Sequence, residues 1–93
     1  MHAIVNTVAL DPARLDEAVS QLHDMVIPMA KSAEGFVHGY WLRSADATKG
    51  ISVEIYESKD AADTAIQGRP EGPPPGSPVT LLTTEVMEVA ASA

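Results

Sequence analysis

The sequence predicts an α+β fold, a four-stranded antiparallel sheet with two helices on one face. Three observations point there. Four runs rich in β-branched or alternating apolar residues, 2–10, 36–43, 50–57 and 79–89, are separated by turn signals. A long stretch between the first two runs has helical periodicity. A short alanine-rich stretch between the last two can form a second helix. The order strand, helix, strand, strand, helix, strand is the ferredoxin-like plan, βαββαβ, here in one domain spanning residues 1–93.

The first strand, "HAIVNTVAL", ends at the turn signal Asp11-Pro12. Asp11 can cap the following helix, and Pro12 suits the first helical position because its missing N–H has no intrahelical partner there. Leu15, Val19, Leu22, Val26 and Met29 then recur at helical spacing, with Glu17, Ser20, Gln21, Asp24 and Lys31 opposite. Pro28 removes one ladder bond and disfavours helical geometry at Ile27, which predicts a kink. Gly35 closes the helix. In "ISVEIYE", Ile51, Val53 and Ile55 alternate with Ser52, Glu54 and Tyr56. Ser58 is a candidate N-cap for the short helix "KDAADTAIQ", whose small apolar face implies close approach to the sheet. Residues 68–78, with five prolines and three glycines, read as a stiff connector.

Six Lys and Arg against thirteen Asp and Glu give a net charge of −7. Such a field repels polyphosphate, and no basic stripe offsets it, so no nucleic-acid partner is expected. No membrane association is expected either, since the longest uncharged stretch, residues 72–84, contains four prolines. "MHAIVNTVAL" lacks the basic start and cleavage site of an export signal, giving a cytoplasmic expectation. There is no cysteine. A lone domain of this size is marginally stable without staples, so association with a second copy is the expected remedy.

The aromatic residues sharpen that expectation. The chain has one Phe, one Trp and two Tyr, and three of these four fall within "GFVHGYWLR", residues 35–43. Phe36, His38, Tyr40 and Leu42 alternate with Val37, Gly39, Trp41 and Arg43, so bulky groups point both ways. Leu81 and Leu82, then Val86 and Met87, do the same on the last strand. A solvated sheet face would alternate with polar residues. A homodimer packed through the open sheet face would cover both copies, with Glu54 and Tyr56 expected to line a partly polar space between the sheets. The rings can serve as core and interface, as the walls of a ligand pocket, or as both.

The segment "AEGFVHGYWLR" after a long amphipathic helix resembles the dimeric α+β barrel superfamily, specifically its antibiotic biosynthesis monooxygenase branch. That resemblance extends along the chain in element order. It implies a small-molecule pocket between sheet and helices, dimerisation through the opposite face, and cofactor-independent oxidation of aromatic or quinol-type metabolites. It also implies a role for Asn6, which matches a strand-one asparagine used in that branch to bind substrate or dioxygen. Haem-degrading relatives need a tryptophan on the second helix and a histidine beyond it; neither is present, so haem degradation and a cofactor are not expected.

Asn6 shares a strand face with Ile4, Val8 and Leu10, the bulky set that should meet the helices, and a buried amide there needs partners. The candidate catalytic residues are Asn6 as donor and His38 or Tyr40 as proton acceptor or orienting group. Trp41 and Tyr56 are candidate substrate walls, and Arg43 a candidate anion partner. Each also has a plainer reading, as a satisfied core or surface side chain. His2, His23 and His38 lie on separate elements, so no metal site is expected. The alternative function is a non-catalytic dimeric module that binds a small ligand or a protein partner.

Overall fold

A computed structural model describes residues 1–69 and 72–93. Strands β1 (His2–Leu10), β2 (Phe36–Arg43), β3 (Lys49–Tyr56) and β4 (Val79–Glu88) form one antiparallel sheet in the order β2-β3-β1-β4. Two helical segments, α1 (Leu15–Gln21) and α2 (Ile27–Ser32), lie between β1 and β2, and α3 (Lys59–Gln67) lies between β3 and β4. The fold is the ferredoxin-like α+β plan. No described helix is long and apolar enough to cross a membrane.

The helix starts where its capping residues dictate. Asp11 Oδ1 accepts from the Ala13 N–H at 3.0 Å, and a 3₁₀ turn, Pro12–Arg14, leads into α1. Leu22–Val26 forms a π turn that joins α1 to α2. The Ile27 N–H reaches back five residues to the Leu22 carbonyl, and Ile27 keeps helical angles, φ −64 and ψ −47. The expected departure of Ile27 from the helix is therefore corrected. The widened turn lies immediately before Pro28 and absorbs it without a break. Beyond α2, Gly35 takes φ +82, and a Cβ there would stand 2.7 Å from the Ala61 Cβ. Glycine is needed both for the left-handed turn and for the contact with α3.

Ser58 caps α3 by accepting from the Ala61 N–H at 3.1 Å. The small face of this helix settles onto the sheet: Ile4, Tyr56 and Ala62 are fully buried, with Phe36, Ala61, Ala65, Ile66 and Val86 packed around them. Phe36 meets Tyr56 edge-on at 5.8 Å between ring centroids. Such a pair adds about 0.5–1.5 kcal/mol beyond its buried area. The connector read from residues 68–78 includes Pro70 and Glu71, which lie outside the described residues.

Two expectations about sidedness are corrected. On β3, Gly50, Ser52, Glu54 and Tyr56 are buried against the helices, whereas Ile51, Val53 and Ile55 turn to the open face. Glu54 and Tyr56 thus do not line the open side. On β2, a register shift between Phe36 and His38 breaks the alternation. Phe36 pairs with Tyr56, and Gly39, Trp41 and Arg43 pair with Glu54, Ser52 and Gly50, so these residues share the helix side. His38, Tyr40 and Leu42 pair with Ile55, Val53 and Ile51 on the open side.

Candidate functional site

Cross-strand pairing assembles a continuous row on the helix side of the sheet. Trp41 stands opposite Ser52, Ser52 opposite Asn6, and Asn6 opposite Thr84. The Thr84 hydroxyl donates to Asn6 Oδ1 at 2.8 Å, and Asn6 Nδ2 donates to Ser52 Oγ at 3.1 Å. Between them these two contacts hold the Asn6 amide in one orientation. The remaining N–H of Asn6 has only a long contact, 3.5 Å, to Glu54 Oε2. At that length the hydrogen bond is weak, so this donor is nearly free.

Two residues along β3 from Ser52, Glu54 is a buried carboxylate, 1 % exposed. Its counter-ion comes from the far end of α3. The Gly68 N–H bonds the Thr64 carbonyl and the Arg69 N–H bonds the Ile66 carbonyl, a tight final turn that brings Arg69 back over the sheet. Arg69 Nη1 donates to Glu54 Oε2 at 3.0 Å and Nη2 to Oε1 at 2.5 Å, a bidentate pair. Nη2 also donates to the Tyr56 hydroxyl at 2.8 Å, which in turn donates to Glu54 Oε1 at 3.2 Å. A charge buried this deeply is tolerated only with such pairing.

The electrostatics follow from that geometry. Burial, reinforced by the Glu54 charge and partly opposed by Arg69, pushes the Tyr56 hydroxyl up to about 12. Tyr56 is therefore a neutral hydrogen-bonding group. Burial works against the Arg69 charge, but hydrogen bonding to Glu54 and attraction by it prevail, so the guanidinium is held above its ordinary value.

The two ends of this face close differently. At one end α3 seals Ile4 and Tyr56 completely. At the other, Asn6, Val8, Leu10 and Trp41 keep partial solvent contact, and Thr84 is exposed. The apolar helix residues Val19, Met25 and Met29 are exposed as well. A depression of about 200 Å³ lies between the end of α2 and α3, lined by residues including Met29, Ala33, Ala61, Ala65 and Arg69. A shallower one runs along Pro12–Glu17. Neither is walled by Asn6 or Trp41 or by any strand residue, so neither is the apolar cavity expected between sheet and helices; Asn6 and Trp41 lie instead on a half-exposed part of the sheet's helix side.

Of the residues singled out from sequence, Asn6, Trp41 and Tyr56 come together on the helix side. Arg43 shares that side of β2 but is exposed at the strand's end. His38 and Tyr40 stand on the opposite face, ring centroids 4.7 Å apart and edge-on. The sheet itself separates them from Asn6, so within one chain they cannot act with it on one substrate. Sequence reasoning did not single out Ser52, Thr84 or Arg69 and put Glu54 on the wrong face; the signal available was the polar pair Ser52 and Glu54 in a strand that must lie alongside Asn6.

With this geometry in hand, comparison with known proteins is informative. The model of the antibiotic biosynthesis monooxygenase family matches residues 1–68. No curated protein matches the sequence. Among solved structures, the haem degrader MhuD from Mycobacterium tuberculosis, with two haems bound, is similar with a TM-score of 0.76 at 16% identity, covering 100% of this chain and 99% of that one. The monooxygenase ActVA-Orf6 of Streptomyces coelicolor, in complex with nanaomycin D, has a TM-score of 0.69 at 18% identity, covering 99% and 89%. The cofactor-independent oxygenase SnoaB from Streptomyces nogalater has a TM-score of 0.67 at 16% identity, covering 98% and 94%. These likenesses show the shared fold.

Proposed function

We propose, for a chain that belongs to the antibiotic biosynthesis monooxygenase family, cofactor-independent oxidation of a flat aromatic or quinol-type metabolite on the half-open helix side of the sheet. The observation that carries this is Asn6: an amide held by Thr84 and Ser52, with one N–H nearly unused, in one cross-strand row with the only tryptophan, Ser52 standing between them. A donor preset in that way stabilises an oxyanion without reorganising. Trp41 supplies a flat apolar wall. Tyr56, neutral up to about 12 and bonded to Glu54, lies further along the same side of β3.

The arrangement also constrains the substrate. Glu54 is occupied by Arg69, and His38 and Tyr40 lie across the sheet, so no free base faces Asn6 among the residues placed here. The substrate class is thus a phenol acidic enough to enter as its anion. The anion passes an electron to dioxygen; for an anthrone-type ring the CH₂ carbon becomes a carbonyl, with one oxygen atom retained and the other leaving as water. Oxygen uptake with 1,8-dihydroxyanthrone should fall about a hundredfold in Asn6→Ala, with an unchanged circular-dichroism spectrum. Uptake unaffected by Asn6→Ala overturns the assignment.

The second reading, a non-catalytic binding module, is favoured by the internal pairing of the polar groups and by depressions that do not reach Asn6. Ring binding without oxygen uptake would establish it. Both readings include a homodimer through the open face, where Tyr40 is 56% and Leu42 55% exposed beside Val5, Ile51, Val53, Ile55 and Met87. So large an apolar surface calls for a covering partner, and a second copy presents the same surface.

A further inference from the structure

Trp41 does not stand upright from the sheet. A Cβ at Gly39 would lie 2.8 Å from Cη2 and 2.9 Å from Cζ3 of its indole, and 3.4 Å from Cζ of Phe36. The six-membered part of the indole therefore lies back along β2, over the Gly39 backbone and toward the Phe36 ring. Gly39 has no unusual φ, so its glycine is not required by the chain's path. What its missing side chain permits is the reclined tryptophan. Cβ atoms do not approach carbon at such distances, and a Cβ fixed to a paired strand cannot retreat. Any residue but glycine at this position would drive the indole off β2.

We propose that Gly39 is a specificity-determining position, one that keeps the indole flat and so leaves the level of Ser52 and Asn6 open to a planar ring. This rests on the ring-binding function proposed above and deepens it. Trp41 pairs across the sheet with Ser52, and Ser52 with Asn6, so an indole displaced from Gly39 swings into the space above its own row. That space is where a ring must sit to meet the Asn6 N–H. Gly39 itself touches no substrate; it acts through Trp41. With a side chain at Gly39, the site accepts smaller, single-ring ligands and rejects fused ones.

The chain's single tryptophan makes the test direct. Acrylamide quenching of its emission reports indole position with no ligand, and equilibrium dialysis of 1,8-dihydroxyanthraquinone and of phenol reports fused-ring and single-ring binding. In Gly39→Ala, quenching should rise, and fused-ring affinity should fall at least about tenfold relative to phenol affinity. In a Trp41→Leu background the same Gly39→Ala change should alter fused-ring affinity less than about twofold, the signature of action through a partner. Relief of the overlap in Gly39→Ala/Trp41→Leu also covers the case in which Gly39→Ala alone misfolds: the double variant should then refold. The inference is overturned if quenching and affinity match the parent in Gly39→Ala, if the loss persists undiminished without Trp41, or if the double variant remains unfolded. Failure of the parent chain to bind the anthraquinone removes the ring-binding function and this inference with it, while an increase in quenching would still locate the indole on Gly39.

Discussion

Replacing Arg69 with methionine tests the buried carboxylate most directly. The substitution keeps much of the apolar stem and deletes donors at 3.0 and 2.5 Å to Glu54 and at 2.8 Å to Tyr56. Glu54 is 1% exposed, so its charge would be left without compensation except for the Tyr56 hydroxyl and the distant Asn6 amide. Removing one partner of a buried pair costs about 3–5 kcal/mol. Removing both charges in Glu54→Leu/Arg69→Met should recover most of the loss, because the apolar pair leaves no charge stranded. Urea unfolding at fixed chain concentration measures each variant, with unchanged m-values as the check that only stability has moved. An Arg69→Met variant within about 1 kcal/mol of the parent near about pH 8 would refute the reasoning, since the pair would then behave like a surface ion pair.

Other perturbations read different parts of the molecule. Tyr56 holds its proton to about 12 in the folded chain against 10.0 in the open chain, so folding stability is intact below about 10 and declines as pH rises between these values. At about 1.4 kcal/mol per pH unit the loss totals about 2–3 kcal/mol, and the ultraviolet titration step near 12 should vanish in Tyr56→Phe. Gly35→Ala meets both φ +82 and a 2.7 Å approach to Ala61, and should lose about 2–4 kcal/mol by thermal or urea unfolding. The Asp46 carboxyl is held below its ordinary 3.8 by the Thr48 hydroxyl first and the Ser44 hydroxyl second, so its NMR titration midpoint should move up toward that value in Thr48→Val. Val53→Lys places a charge in the middle of the open apolar face and should leave a monomer in sedimentation at micromolar concentration, whereas a particle of unchanged mass would dissociate that face from assembly.

The fold was legible because each element carries its own punctuation. Asp11 and Ser58 act as caps through the oxygens their side chains supply, and the periodic stripe from Leu15 to Met29 needs no tertiary information to be read as helix. Pro28 was legible as a disturbance but not as a π turn, since choosing between a break and a wider turn depends on whether the surrounding packing keeps the helix going. The strand faces were harder. Ile51, Val53 and Ile55 are the more apolar side of β3, and hydrophobicity alone assigns that side to the helices. The alternation reads the same whether the apolar side meets helices or another sheet, so pattern cannot distinguish a core from an interface.

Register resolves what pattern cannot. Once Ile4 and Asn6 are assigned to the helix side, antiparallel pairing forces Glu54 and Ser52 onto that side with them, and Tyr56 follows by the two-residue period. A carboxylate so placed must find a cation, because burying it alone costs far more than a small domain's stability. The sequence offers six Lys and Arg, and nothing local to Glu54 in the chain selects among them. Arg69 is selected by the end of α3, whose last turn tightens at Gly68 and returns the chain over the sheet. The proline-rich stretch that looked like mere connector thus carries, at its second position, the residue on which the buried charge depends. For the same reason, the length of α3 and the position of Gly68 constrain the site as strongly as any side chain in it: moving that turn by one residue would take the guanidinium from Glu54 and leave the charge next to Asn6 unpaired.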